Sequence, residues 1–240
     1  MSYIETLRQE ISDSVPTFDA AGIVTTAGLV YPLGLDTKVL STIFEMIVRP
    51  QVVAVAEELD LKVHEPEQQN YYPDFTIMKD EADTHKIALD VKTAYRRPTA
   101  GGWTTSFTLG GYTSFLRNPT KNIAFPNNQY GSHWILGFIY SRVPVDAHEV
   151  LGVGEPEKLV SPLTDVEWFL VEKYKIAATR AGSGNTTNIG SISGTSLDDF
   201  RDGTGPFADL GEGVFEEYWA NYGKDTFTSL PGYNTWKAEQ

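Results

Sequence analysis

Near the middle of the chain, Lys86-Ile87-Ala88-Leu89-Asp90-Val91-Lys92-Thr93-Ala94-Tyr95 places apolar residues at alternate positions. A period of two predicts a strand with Ile87, Leu89 and Val91 on its core face. Asp90 and Lys92 then share the other face, roughly 6–7 Å apart. Just upstream, Tyr71 to Met78 reads as a second strand. The short polar stretch Lys79 to His85 joins the two as antiparallel neighbours. On that strand Asp74 follows Pro73 and faces away from Phe75 and Ile77. If the strands pair, Asp74 and Asp90 converge.

Two carboxylates without cysteine make a hard oxygen site, which suits Mg²⁺ held partly by water and substrate phosphate better than it suits zinc. Lys92 would then stabilise phosphate charge or orient an attacking water. The same residues read equally as a cross-strand salt bridge on a solvated face, and the spacing alone leaves both open.

Toward the N-terminus, Ile4, Leu7 and Ile11 follow helical spacing within residues 2–14. Gly22 to Leu33 reads as a hairpin around Ala27-Gly28. Asp36 is a natural N-cap for a helix bearing Val39, Leu40, Ile43, Phe44, Ile47 and Val48, with Pro50 marking a break or kink near its end. Glu45 lies on that helix well away from its apolar stripe and reads as a solvated glutamate. Toward the C-terminus come a Gly/Thr/Ser-rich connection (Pro98 to Thr105), the most apolar strand (Trp134 to Val143), one or two strands in Val166 to Thr179, a glycine-rich polar segment (Gly182 to Ser196) and a helix from Val214 to Tyr222. This order predicts an α/β or α+β fold, a central mixed β-sheet flanked by helices, in a single domain spanning 1–240.

The 240 residues are 41% hydrophobic and 12% aromatic, enough to bury a core. With no cysteine, disulfide scaffolds, Cys-zinc sites and cysteine nucleophiles are excluded. No basic, apolar leader opens the chain and no unbroken apolar run approaches the ~20 residues of a membrane span, so a cytoplasmic protein with no membrane partner is expected. The net charge of −13 argues against a polyanion partner. Between Lys86 and Arg142, however, seven basic residues face one acidic residue. That segment is either a polyanion footprint or an ordinary solvated surface.

Two polar patches remain. Gly182-Ser183-Gly184-Asn185-Thr186-Thr187-Asn188 offers amides, hydroxyls and close main-chain approach, the chemistry that reads base edges in a major groove, although such clusters are also common as plain turns. Gln68-Gln69-Asn70 puts three amides just before Asp74.

Taken together, Tyr-Pro-Leu-Gly (31–34), Asp-Thr-Lys-Val-Leu-Ser-Thr-Ile-Phe-Glu (36–45), Glu-Pro-x-Gln-Gln-Asn (65–70), Tyr-Pro-Asp-Phe-Thr (72–76), Lys-Ile-Ala-x-Asp-x-Lys-Thr (86–93), Phe-Thr-Leu-Gly-Gly-Tyr-Thr-Ser-Phe (107–115), Thr-Lys-Asn-Ile (120–123) and Ala-Gly-Ser-Gly-Asn-Thr-Thr-Asn-Ile-Gly-Ser-Ile (181–192) resemble the EcoRV-type restriction endonucleases of the PD-(D/E)xK nuclease superfamily. The resemblance implies a restriction-endonuclease-like fold and a Mg²⁺-dependent homodimer that cuts both strands of a palindromic DNA site, GATATC with a blunt cut. It implies Asp74 and Asp90 as metal ligands, Lys92 as the catalytic lysine and Glu45 as an auxiliary carboxylate. Gly182, Gly184, Asn185 and Thr186 would face bases, within a recognition loop that includes Ser183, Thr187 and Asn188. Gln68, Gln69 and Asn70 would lie near the minor groove, and Thr93, Thr108, Thr113, Ser114 and Lys121 would make backbone or supporting contacts. Residues 20–50 would form much of the dimer interface. A host methyltransferase would be the functional partner. The alternatives are a related nuclease with another site, a catalytically inactive sequence-specific DNA-binding protein, and a protein unrelated to DNA.

Overall fold

The computed structural model describes residues 2–13, 18, 20–145, 149–182 and 187–240. In chain order the helices are α1 (Tyr3–Asp13), α2 (Thr37–Glu58), α3 (Lys173–Ile176), α4 (Leu197–Arg201), α5 (Glu212–Asn221) and α6 (Leu230–Ala238). The strands are β1 (Gly22–Val24), β2 (Leu29–Pro32), β3 (Lys62–His64), β4 (Phe75–Met78), β5 (Lys86–Tyr95), β6 (Arg97–Thr99), β7 (Gly102–Thr104), β8 (Thr108–Gly111), β9 (Tyr130–Arg142), β10 (Leu151–Gly152), β11 (Leu163–Glu172), β12 (Ala177–Ala181) and β13 (Asn188–Ser191).

The central sheet runs β11-β9-β5-β4-β3, with β5 and β9 parallel and the other neighbours antiparallel. It is the mixed sheet the sequence predicts. On one face α1 and α2 bury Leu7, Leu40, Phe44, Val48 and Val52 against Ile77, Leu89, Val91 and Phe138. On the other, β8, β13, α4, α5 and α6 pack an aromatic cluster, including Phe107, Phe200, Phe207, Tyr218 and Trp219, onto Ile135, Ile139 and Phe169. A small third cluster of Tyr72, Ala88, Phe115, Ile123 and Tyr130 lies under the N-terminal half of β5.

Asp36 caps α2, its carboxylate accepting from the Lys38 and Val39 amides at 2.8 and 3.2 Å. The helix does not end near Pro50; α2 continues through it to Glu58. A proline inside a helix costs about 3 kcal/mol. Beyond it, however, Val52, Val55 and Ala56 are all buried, and each large aliphatic side chain returns about 1.5–3 kcal/mol. By length and composition α2 could cross a membrane, but it serves as the helix that covers the sheet.

Two further expectations change and a third is extended. Tyr71 to Asp74 lie outside the strand, which starts at Phe75, although Tyr72 makes an isolated bridge to Ile123. The connection after Pro98 contains a small hairpin, β6 paired with β7. The 22–33 hairpin forms as expected and gains a third strand, β10.

The basic segment is also largely used up inside the fold. Lys86 is fully buried and donates to the Glu81 carbonyl and Gln129 Oε1 at 2.9 and 2.7 Å. Arg96 pairs with Glu167, Arg117 donates to the Tyr222 carbonyl, and Arg142 donates to the Leu35 carbonyl at 3.0 Å. Lys92 and Lys121 are the members of that segment that line the main cleft.

Candidate active site

The β4–β5 register pairs Phe75 with Leu89 and Thr76 with Ala88. Carried one residue further, it sets Asp74 across from Asp90. The Val91 amide donates to Asp74 Oδ2 at 2.6 Å and fixes that carboxylate against β5. The Lys92 ammonium stands 2.7 Å from Asp90 Oδ2 and 3.9 Å from Asp74 Oδ2, and it also donates to the Val91 carbonyl at 3.1 Å. Asp90 is only 3% exposed, so the face expected to be wet is covered. The cover comes from the Tyr72–Phe115 cluster, which is distant in sequence and invisible to a local reading.

Burial pushes the Asp74 carboxyl up to about 8, and the Asp90 charge adds to the effect against the opposing pull of Lys92. Burial would lower Lys92, yet Asp90 and Asp74 outweigh it and hold the ammonium charged, above the ordinary lysine range. Glu45 on α2 is half-buried and raised, first by burial and then by Asp90. It flanks Asp74 in an adjoining groove of about 210 Å³ shared with Gln68 and Gln69. Asp90 Oδ2 is buried, and the Lys92 ammonium is the partner that stands beside it. Among the described residues no cage of three or more Asp, Glu, His or Cys forms. Two carboxylates without a cage fit a hard divalent ion that keeps waters and substrate oxygens as its remaining ligands.

The cleft in front of these groups has a volume of about 350 Å³. Gln69 and Asn70 stand on one side, Thr113, Ser114 and Lys121 on another, and Thr187 and Asn188 on a third. The fold therefore gathers parts of four separate sequence segments around Asp74, Asp90 and Lys92. Ser114 donates its hydroxyl to the Lys121 carbonyl at 2.8 Å, holding the rim that carries Lys121. At the base of the glycine-rich loop, the Gly182 amide donates to the Asn188 carbonyl at 2.8 Å and the Tyr112 amide to the Thr187 carbonyl at 2.9 Å. Ser183, Gly184, Asn185 and Thr186 lie outside the described residues.

Other expected residues are placed apart from this cleft. Gln68 faces the Glu45 groove. Thr93 lines a separate recess with Thr37, Arg97 and Ser106, and Thr108 is exposed on β8. Sequence reasoning passed over several lining residues, namely Tyr72, Gly110, Gly111, Phe115 and Asn122. For the two glycines a signal was available, because a Gly110-Gly111 pair between Leu109 and Tyr112 reads as a place of close backbone approach.

The model for the family described as Restriction endonuclease EcoRV matches residues 15–238. The type II restriction enzyme EcoRV of Escherichia coli is 43% identical over 244 residues, 98% of each chain. The chain belongs to the EcoRV restriction endonuclease family. As a member, it is a type II restriction endonuclease whose substrate is DNA, of a metal-dependent nuclease type. A solved structure of the NlaIV restriction endonuclease aligns over 98% of this chain and 89% of that one, with 11% identity and a TM-score of 0.44.

Proposed function

We propose that this EcoRV-family enzyme is a Mg²⁺-dependent homodimer that cuts GATATC at its centre in both strands, leaving blunt ends with 5′-phosphates and 3′-hydroxyls. The observation that supports it most is the shared cleft, in which Asp74, Asp90 and Lys92 lie between Gln69-Asn70 and Thr187-Asn188. Asp74 and Asp90 would hold Mg²⁺, which when bound supplies charge neutralisation at the phosphate and a more acidic water. The Val91 amide keeps Asp74 aimed at that position. Lys92 holds its proton beside both carboxylates and presents positive charge to a scissile phosphate oxygen. In the reaction, water oxygen bonds to phosphorus in line, the bond from phosphorus to the 3′-oxygen breaks, and that oxygen leaves as the hydroxyl. Glu45 stands behind Asp74 as an auxiliary carboxylate.

Gly182, Gly184, Asn185 and Thr186 would read base edges from the major groove, with Ser183, Thr187 and Asn188 completing the loop. Gln68, Gln69 and Asn70 would approach from the minor-groove side. Lys121 is exposed on the cleft rim and is suited to a backbone phosphate, while Thr93, Thr108, Thr113 and Ser114 serve as backbone or supporting contacts. Ile23, Val24, Tyr31, Val39 and Met46 are exposed on the β1–β2 hairpin and α2, an apolar surface suited to a second copy. Two-fold symmetry then matches a palindrome, one active site per strand. A host methyltransferase of the same specificity would protect the host's own sites.

Digestion of a plasmid with a single GATATC, over a salt series with Mg²⁺, tests this reading. Blunt ends from the wild type and none from Asp90→Ala are expected. Cleavage at another sequence would retire GATATC, and no cleavage at any salt would retire the catalytic assignment.

A further inference from the structure

Lys173, the first residue of α3, is a buried charge that the cleavage scheme leaves unused. It is 2% exposed, and among the described residues it forms no salt bridge. Its ammonium instead lies 4.2 Å from the centroid of the Tyr72 ring and 5.1 Å from that of Phe115. Those rings stack on each other, 4.6 Å apart and 18° from parallel. His133 lies parallel to Phe115 at 6.2 Å, and its Nδ1 shares a 2.8 Å hydrogen bond with the Tyr72 hydroxyl. Burying an ammonium with no carboxylate in direct contact is costly and only partly offset by the more distant charges of Asp90, Glu212 and Glu216, whereas methionine would fill the same space without that cost. Burial lowers Lys173 to about 8, so it remains mostly charged at pH 7. Its charge is the second influence, after burial, holding His133 down near 3 and therefore neutral.

The two rings belong to different working segments. Tyr72 precedes Asp74 by two residues, and its backbone is pinned by the Asn122 carbonyl at 3.0 Å and the Ala124 amide at 2.8 Å. Phe115 follows Thr113 and Ser114, which line the same cleft. Lys173 also reaches β8. A side chain at Gly110, where φ is +93°, would begin 3.7 Å from the ammonium. β8 pairs with β13, whose first residue, Asn188, closes the glycine-rich loop.

We infer that Lys173 is a positioning residue that couples the strand framing the 182–188 loop to the segment carrying Asp74, through its contacts with the stacked Tyr72 and Phe115 rings. This rests on the proposed roles of that loop and of Asp74. Its loss loosens the alignment of Asp74 while leaving DNA contacts in place.

The test compares full-length wild type, Lys173→Met and Lys173→Arg at the site the enzyme cuts and at a variant of it with one base pair changed. Lys173→Met is expected to lower kcat at the true site about tenfold with KM nearly unchanged, the size of one desolvated cation–π contact. The ratio of true-site to variant-site rates should fall with it, and Lys173→Arg should recover most of both. Thermal unfolding is followed alongside. A loss that tracks the unfolded fraction, or equal loss at both sites, overturns the coupling. Should Lys173→Met fail to fold, Phe115→Leu keeps the charge and must give the same split between kcat and KM; an unchanged ratio there overturns the inference. A wild type that cuts no DNA would overturn the underlying function instead, so the two failures are distinguishable.

Discussion

On one face of β5, Ile87, Leu89 and Val91 point into an apolar core beneath α2; on the other, Lys86, Ala88, Asp90 and Lys92 face the cleft and the polar aromatic cluster behind it. Both faces are covered, so burial alone does not separate them. What separates them is the kind of partner each side chain finds. The α2 face is filled by side chains that need only shape, and the cleft face by ionisable groups that need a counter-charge or a hydrogen bond. Burying Asp90 and Lys92 side by side is tolerable because they pair at 2.7 Å, yet the pair is expensive compared with two apolar residues. A strand can carry that cost because its other face supplies the packing energy.

The sharpest way to break this comparison is to truncate neighbouring residues on opposite faces. Asp90→Ala and Lys92→Ala should each lower cleavage by about 10³-fold or more, because each removes charge at the reacting phosphate, while circular dichroism still reports a folded chain. Unfolding of either variant at 25 °C would make the pair structural rather than catalytic. Leu89→Ala, one residue from Asp90 and fully buried, should do the reverse. A loss of about 2–5 kcal/mol in urea unfolding is expected from the cavity it leaves, with kcat of the remaining folded protein close to wild type. A Leu89→Ala protein that is stable but inactive would show that the two faces are not separable.

The alternation in β5 was readable locally, and so was the likelihood of a partner strand, because period and loop length are short-range properties. The convergence of Asp74 with Asp90 needed only the pairing register, and the β4–β5 ladder supplies it. What could not be read were the features set by residues far apart in the chain. Whether the Asp90 face meets water depends on Tyr72, Phe115 and Lys173, which arrive from three other segments. The extension of α2 past Pro50 depends on what Val52 and Val55 meet in the core. The basic excess between Lys86 and Arg142 resembled a footprint until Glu167 and the carbonyls of Glu81, Leu35 and Tyr222 were seen to take up most of it. Composition counts charges without their partners.

The proposed recognition loop sharpens the comparison further, because the role proposed for it is to read bases and not to fill the core or hold a metal. Asn185→Ala should therefore leave stability unchanged and cost about 1–3 kcal/mol of discrimination, the worth of one bidentate base contact. Cleavage rates on the true site and on single-base variants measure it. Unchanged discrimination would remove Asn185 from the reading of DNA.

The smallest expected effect comes from the charge stored on the cleft face. In metal-free protein Asp74 titrates near 8, raised by burial and by Asp90. A carboxyl whose folded value lies above its unfolded one contributes stability below the unfolded value and loses it as pH rises through the folded value. Wild type should therefore weaken between about pH 4 and pH 8 through this group. Asp74→Asn cannot ionise but still accepts the Val91 amide, so it should keep that stability. Scanning calorimetry with chelator present should find the two proteins close below about pH 4 and the variant ahead by about 1–2 kcal/mol at pH 9. A divalent ion should then restore wild type at pH 9 more than the variant, because the ion supplies the positive charge that the ionised carboxylate lacks. If the variant instead loses stability at every pH, the Asp74 carboxylate is held by its neighbours as a structural ion pair, and the cleft face would differ from the α2 face in composition but not in purpose.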